Sequence, residues 1–247
     1  MSEVKRRKAS SYEMAMKLCP TARELEFLYP LELASPRDGE VIVDFPSGGA
    51  YLQPHLAKIC KGATCLAVEH VSGYRDDESA ILEGEWSRLP FANRAVNVVL
   101  TLAAIHHVLG GRPAFYQECH RVLDEGGRLI IADVEAGTRP DRFLSEFVAK
   151  HSSEGHEAVF LTRETEEPLL EAAGFRVSDY ELRKYQWSYP DRRTAIEFCR
   201  GLFRLDLATD SEIWDALDGY LGIDNHPSGV RMNWELAMVR ADKRSDS

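Results

Sequence analysis

No apolar run in this chain reaches the ~18 residues that a membrane-spanning helix needs. No N-terminal apolar core marks a secretory signal either. These absences predict a cytoplasmic protein that does not insert into membranes. Positive charge is scarce: 30 Lys and Arg face 40 Asp and Glu, for a net charge of −10. An acidic surface repels phosphate backbones, so nucleic acid is not an expected partner. The basic run Lys5-Arg6-Arg7-Lys8 reads as a solvated terminus. Cysteines are few and odd in number: Cys19, Cys60, Cys65, Cys119 and Cys199. Four of them fall in apolar periodic segments, as buried reduced thiols do. Cys60 and Cys65 lack a second ligand pair at zinc-finger spacing, so no metal is expected. Repeats and low-complexity runs are absent.

What is present is an alternation of buried strands and helices. The 247 residues suit one α/β domain with an elaboration, and 44% hydrophobic content fills its core. Strands are expected near 40–44, 64–69, 80–83, 96–102, 127–134, 176–184 and 229–241. Helices between them argue a mostly parallel sheet covered on both faces. Residues 10–33 read as one or two helices broken near Pro20. Pro113 opens a helix with Phe115, Cys119, Val122 and Leu123 on its apolar face, and Gly126-Gly127 turns it into the next strand. Two further helices, one carrying Ala195, Ile196, Cys199, Leu202 and Phe203, the other Ile213, Trp214, Leu217, Tyr220 and Leu221, fit the helical template before the last strand.

The stretch VIVDFPSGGAYLQPHLA at 41–57 carries the most chemistry. A buried strand ends in Asp44, a small-residue turn Pro46-Ser47-Gly48-Gly49-Ala50 follows, and then a helix begins. That order forms a cradle for a nucleotide or cofactor. A second strand, Cys65 to Val68, ends in Glu69, near the ~20-residue interval expected for a ribose-binding acid. Gly84-Glu85-Trp86, Leu89-Pro90-Phe91, the strand Val96–Leu102 and Ile105-His106-His107-Val108 come next.

These segments, in this order, resemble the class I S-adenosylmethionine-dependent methyltransferases, and most of all the ubiquinone- and menaquinone-biosynthesis type that acts on small molecules. Arg121–Asp133 and Leu169–Phe175 match the family's later steps, and the resemblance spans roughly 38–180. It implies a Rossmann-like seven-stranded sheet with helices on both faces and the last strand antiparallel. One domain would fill 1–247: an N-terminal helical cover at 1–37, a core at 38–184, a two-helix cap at 190–224 over the substrate end, and a final strand at 229–241. It implies S-adenosylmethionine as cofactor and a small-molecule acceptor. Asp44 would hold the methionine end, directly or through water, with Pro46, Ser47, Gly48 and Gly49 lining it. Glu69, with His70 beside it, would bind the ribose. Glu85 and Trp86 would meet the adenine, and Thr101 and Leu102 would face the methyl-donor end. His106 and His107 are candidate bases, although the pair also shapes the loop. His151 and His156 read as loop residues near the substrate mouth, and Arg200 and Arg204 as a solvent-facing pair that could instead bind an anion.

The sequence departs from the family pattern in several places. Pro46 and Ala50 stand where glycines are usual, and Glu85 stands for an aspartate. The connection from Glu69 to Glu85 is short, with Tyr74 or Trp86 as the expected adenine wall. A regulatory protein without catalysis on the same fold is therefore a second reading. A nicotinamide oxidoreductase is a third, with a poor match to G-x-G-x-x-G. The cap could also serve a homodimer.

Overall fold

The computed structural model describes residues 3–70 and 80–244. Residues Tyr74 and its neighbours, expected as part of an adenine wall, lie outside the described residues. Two helices lead the chain, α1 (Glu3–Leu18) and α2 (Glu24–Ala34), separated at Pro20 as expected. Among the described residues eight strands follow: β1 (Val41–Asp44), β2 (Thr64–Glu69), β3 (Leu82–Glu83), β4 (Val96–Leu102), β5 (Leu123–Asp133), β6 (Phe175–Tyr189), β7 (Ile223–His226) and β8 (Gly229–Lys243). They form one sheet in the order β3-β2-β1-β4-β5-β8-β6, with β7 paired to β8. Pairs among β1 to β5 are parallel, and β8 runs antiparallel to β5, β6 and β7. The mostly parallel Rossmann-like sheet with an antiparallel final strand is thus present, with β7 as an addition. β7 takes residues expected at the end of the cap and in the turn after it.

Strand alternation sorts the core into two layers. Ile42, Leu100, Ile130 and Met238 face one layer, where α1, α2, α3 (Gln53–Ile59) and the cap helices pack. Val43, Val99, Leu129 and Val239 face the other, covered by α4 (Arg112–Val122) and α6 (Arg163–Ala172). Both faces are therefore covered, which explains why the central strands read as continuous apolar runs. Buried polar bonds fasten the second layer: Arg112 and Tyr116 of α4 both donate to Glu166 of α6.

Three local expectations need correction. Gly126-Gly127 does not end the helix. The helix stops at Val122, and the strand starts at Leu123 with a bulge before Arg128, where Gly126 takes φ +83°. The stretch after β5 is loop only in part, with His156 in the irregular segment 152–162 and His151 on a helix. It is helical from α5 (Arg139–Arg142) through a π-segment (Phe143–Val148) to Ala149–His151. The strand expected near 176–184 runs on to Tyr189 as β6, carrying Tyr180, Tyr185, Trp187 and Tyr189, because β8 pairs with it along its whole length.

The two cap helices form as expected. α7 (Arg192–Phe203) starts at Asp191, whose side chain accepts from Thr194 N, and α8 (Asp210–Ala216) starts at a reciprocal Thr209–Glu212 capping box. α7 packs against α1 rather than standing apart. A Cβ on Gly201 would lie 3.0 Å from the Ser11 carbonyl oxygen, so a glycine there lets the two helices approach closely. Ser11 Oγ donates to Gly201 O at 2.5 Å across the same contact. Arg200 and Arg204 serve this region's own structure. Arg200 donates to the carbonyls of Leu205 and Ala208 and to Asp210, and Arg204 pairs with Glu154. Among the described residues no helix is long and apolar enough to cross a membrane.

Candidate active site at the carboxyl ends of the strands

β1 and β4 run side by side, and the chain leaves β1 through Phe45, whose N–H donates to Leu100 O at 2.9 Å. Ser47 N then donates to Val68 O at 2.9 Å, which ties the turn to β2. Gly48, Gly49 and Ala50 follow with φ of +58°, +115° and +63°. Gly49 needs glycine most: its φ suits few L-residues, and a Cβ would meet the Tyr51 ring at 2.9 Å. Ala50 takes the left-handed conformation without glycine's freedom, a cost of the order of 1 kcal/mol. Gly49→Ala is expected to destabilise the protein by about 1–3 kcal/mol and to disturb the turn's ligand face. A thermal melt paired with ligand titration checks both effects.

Glu69 shapes this turn. It is 1% exposed, and its Oε2 accepts from Gly48 N at 2.9 Å. Its Oε1 accepts from His70 N at 2.9 Å and faces His70 Nδ1 at 3.1 Å. Asp44 differs. It is 4% exposed, and its carboxylate has no hydrogen-bond partner among the described residues. Burial pushes its carboxyl well above the ordinary range, and the nearby Glu69 charge adds to the shift. Ser47 Oγ is buried and likewise without a partner. The turn thus presents a carboxylate and a hydroxyl with nothing of their own to bind.

A lid covers it from the N-terminal side. The Tyr12 ring of α1 lies within 3.7 Å of a Cβ position on Gly48 and 5.8 Å from the Tyr51 ring. Arg23 Nη1 donates to Tyr12 Oη at 2.9 Å and pairs through Nη2 with Glu26 at 2.5 Å, both members nearly fully buried. Trp187 Nε1 of β6 donates to the other Glu26 oxygen at 2.6 Å. The Arg23 guanidinium sits over the Tyr12, Phe27 and Trp187 rings, 5.3–5.9 Å from their centroids. Burial and then the Glu26 charge push the Tyr185 phenol well above its usual range. This buried knot joins α1, α2 and β6. No local sequence pattern signals it, because the residues meet only through tertiary packing.

The expected site residues do not all share one space. Asp44 pairs in register with Leu100, so alternation sends Thr101 to the opposite face of the sheet. There Thr101 is 1% exposed with its hydroxyl unpartnered, on the Phe45 side. Leu102, on the Asp44 face, is half-buried. Trp86 is half-buried against Phe45 and Phe115, each at 4.9 Å, and lies 5.6 Å from His70. It is both a packing aromatic and a neighbour of the Glu69 region. Glu85 is exposed in a tight turn with Arg88, so its side chain is not enclosed by the described residues.

After β4, Ala103 at φ +48° turns the chain into a 3-10 turn, Ile105–His107. Asp133, at the end of β5, holds that turn. Its Oδ2 accepts from Ala104 N and His106 N, and its Oδ1 accepts from Val134 N and lies 2.6 Å from His106 Nδ1. Burial alone would raise the Asp133 carboxyl, but His106 and these backbone donors together hold it below its ordinary value. His107 Nδ1 lies 3.0 Å from Glu157 O. His156 comes to the same place, with ring centroids 5.5 Å from His106 and 5.1 Å from His107. His151 is elsewhere, at the end of the α5 run, with Nδ1 on Phe147 O.

Comparison with known proteins agrees with this geometry. A family described as "Methyltransferase domain" matches residues 43–131, from β1 to β5. No curated protein matches the chain. Solved structures do. A suggested methyltransferase of Bacillus halodurans aligns at TM-score 0.59 and 18% identity, over 89% of this chain and 99% of its own. An S-adenosylmethionine-dependent methyltransferase of Thermotoga maritima aligns at TM-score 0.59 and 16% identity, over 97% of both chains. A phosphoethanolamine N-methyltransferase of Haemonchus contortus, solved with phosphomonomethylethanolamine and S-adenosylhomocysteine, aligns at TM-score 0.55 and 14% identity, over 90% of this chain and 53% of its own. Residues 43–131 therefore match a methyltransferase-domain family in sequence, and the chain shares the fold of those structures along most of its length.

Proposed function

We propose that this protein transfers a methyl group from S-adenosylmethionine to a small-molecule acceptor. The observation that carries the reading is Asp44: a buried carboxylate with no partner of its own, at the strand end where ligands bind in such sheets. A ligand ammonium would supply the missing charge and hydrogen bonds. The methionine end of the cofactor offers one, and Ser47 Oγ with the Gly48-Gly49 backbone would line the same end. Glu69 and His70 would lie along the ribose, and Trp86 towards the adenine. Leu102 would bound the methyl-donor end on the Asp44 face.

Methyl transfer from a sulfonium is an in-line displacement. The acceptor's lone pair forms the bond to the methyl carbon while the carbon–sulfur pair returns to sulfur as a thioether. The cofactor is already activated, so the protein's tasks are alignment and exclusion of water. The lid of Tyr12, Arg23 and Trp187 serves the second task. Two buried N–H groups on that side, Arg23 Nε and Trp234 Nε1, have no acceptor in the structure and favour a polar methyl acceptor. His106 and His107 would lie at the acceptor end, beyond β4.

Thermal melts test the cofactor reading. S-adenosylhomocysteine at about 100 times its Kd should stabilise the fold by about 2.7 kcal/mol. For a chain of this size that raises the Tm by roughly 5–10 °C. Stabilisation by a nicotinamide dinucleotide and not by S-adenosylhomocysteine would overturn the reading.

A further inference from the structure

We propose that His106, His107 and His156 form a binding site for a divalent transition metal of the zinc class. Three observations carry the proposal. First, one ligand nitrogen from each of the three residues lies within 4.8 Å of the others. Tetrahedral zinc with nitrogen ligands at about 2.0–2.1 Å needs them only ~1–1.5 Å closer. His107 is exposed and His156 half-buried, so side-chain rotation can supply that closure.

Second, the rings are oriented as ligating histidines are. A metal-bound imidazole commonly gives its other ring nitrogen to a carboxylate or a backbone carbonyl, which fixes the tautomer and aims the lone pair. His106 has that arrangement with Asp133 Oδ1 at 2.6 Å, and His107 has it with Glu157 O at 3.0 Å. In both, Nδ1 faces an oxygen acceptor. Asp133 is itself fixed by three backbone N–H groups, so His106 is held rigidly.

Third, the segment that brings His156 is tied to the turn that carries the other two. Val159 N donates to His106 O at 2.8 Å, in addition to the His107 contact with Glu157 O. These bonds set residues 156–159 against Ile105–His107 before any ion arrives. The three imidazoles pack side by side, with centroids 4.1–5.5 Å apart. Imidazole donors suit zinc, copper and nickel better than magnesium or calcium.

Three protein ligands leave a fourth position open, as in catalytic rather than structural zinc sites. In the loaded protein His106 and His107 act as ligands and not as proton acceptors. The site stands whether or not the chain transfers methyl groups, and its test is separable from that reading.

The test uses the full chain without a histidine tag, stripped with a chelator and dialysed against zinc chloride. One zinc per chain is expected, bound at micromolar concentration or tighter. His107→Ala and His156→Ala should each weaken binding at least tenfold, and the double variant should abolish it. Asp133→Asn should weaken it ~10- to 100-fold through His106. His226→Ala, in the β7–β8 hairpin, should bind as the wild type does. Cobalt in place of zinc should give the visible absorption of a tetrahedral site, lost in the same variants. Circular dichroism establishes folding, and His107→Ala, at an exposed position, keeps the test valid if a more buried variant unfolds. No zinc bound by the folded wild type, or zinc retained undiminished by His107→Ala and His156→Ala, would overturn the proposal. S-adenosylhomocysteine titrated into the zinc-free chain reports on the cofactor reading separately.

Discussion

Asp44→Asn is expected to have opposite effects on stability and on binding. In the free protein it should stabilise the fold at pH 8. Burial and the Glu69 charge raise the Asp44 carboxyl well above the ordinary value near 4. A carboxyl raised in the folded state keeps its proton longer there than in the unfolded chain. Its ionisation therefore costs stability as pH rises from about 4 through the folded value. Asparagine removes that cost, so the variant should melt above the wild type at pH 8, with the difference shrinking towards pH 4. Ligand binding should move the other way. Removing one partner of a buried charge pair costs about 2–5 kcal/mol, or roughly 30- to 5,000-fold in affinity. Melts at the two pH values and a cofactor titration read both effects. A variant that binds S-adenosylhomocysteine as well as the wild type does would remove Asp44 from the site.

Glu26→Ala should be among the most destabilising single changes. It leaves the Arg23 guanidinium buried without its carboxylate and the Trp187 N–H without an acceptor. Breaking a buried pair from one side typically costs about 3–5 kcal/mol. For a chain of this size the Tm should fall by roughly 6–20 °C. Arg23→Met with Glu26→Leu should recover part of the loss, since apolar residues of similar volume often replace a buried pair at little cost. The double variant also tests the lid. Without Arg23 the Tyr12 hydroxyl loses the Arg23 bond, and α1 loses one tie to α2. Denaturant melts of the three variants measure both points. A loss under about 1 kcal/mol for Glu26→Ala would mean that the knot does not hold the lid.

Much of this architecture was legible because local signals agreed with one another. Apolar runs ending in Asp44 and Glu69 gave β1 and β2, and proline and capping residues gave the helix starts. The turn's place followed from its small residues, and the solved relatives share the resulting sheet. What escaped were features set by tertiary contact. The full length of β6 depends on β8, which no local pattern reports. A place at a strand end groups Thr101 with Asp44, but register puts the two on opposite faces. The Arg23–Glu26 pair reads in sequence as one more helical ion pair, and only burial under Trp187 makes it a lid fastening. The histidine cluster was half visible. His106-His107 stand out as a pair, whereas His156 sits far along the chain at no ligand spacing, in a stretch whose sequence reads as loop.

The cofactor assignment rests on Asp44 meeting a ligand ammonium. Calorimetric titration of S-adenosylhomocysteine into the wild-type chain and into Asp44→Ala at pH 7.5 tests it most directly. Micromolar binding by the wild type, weakened at least 30-fold in the variant, is the expected result. Binding of equal strength in both proteins, or none by a folded wild type, would contradict it.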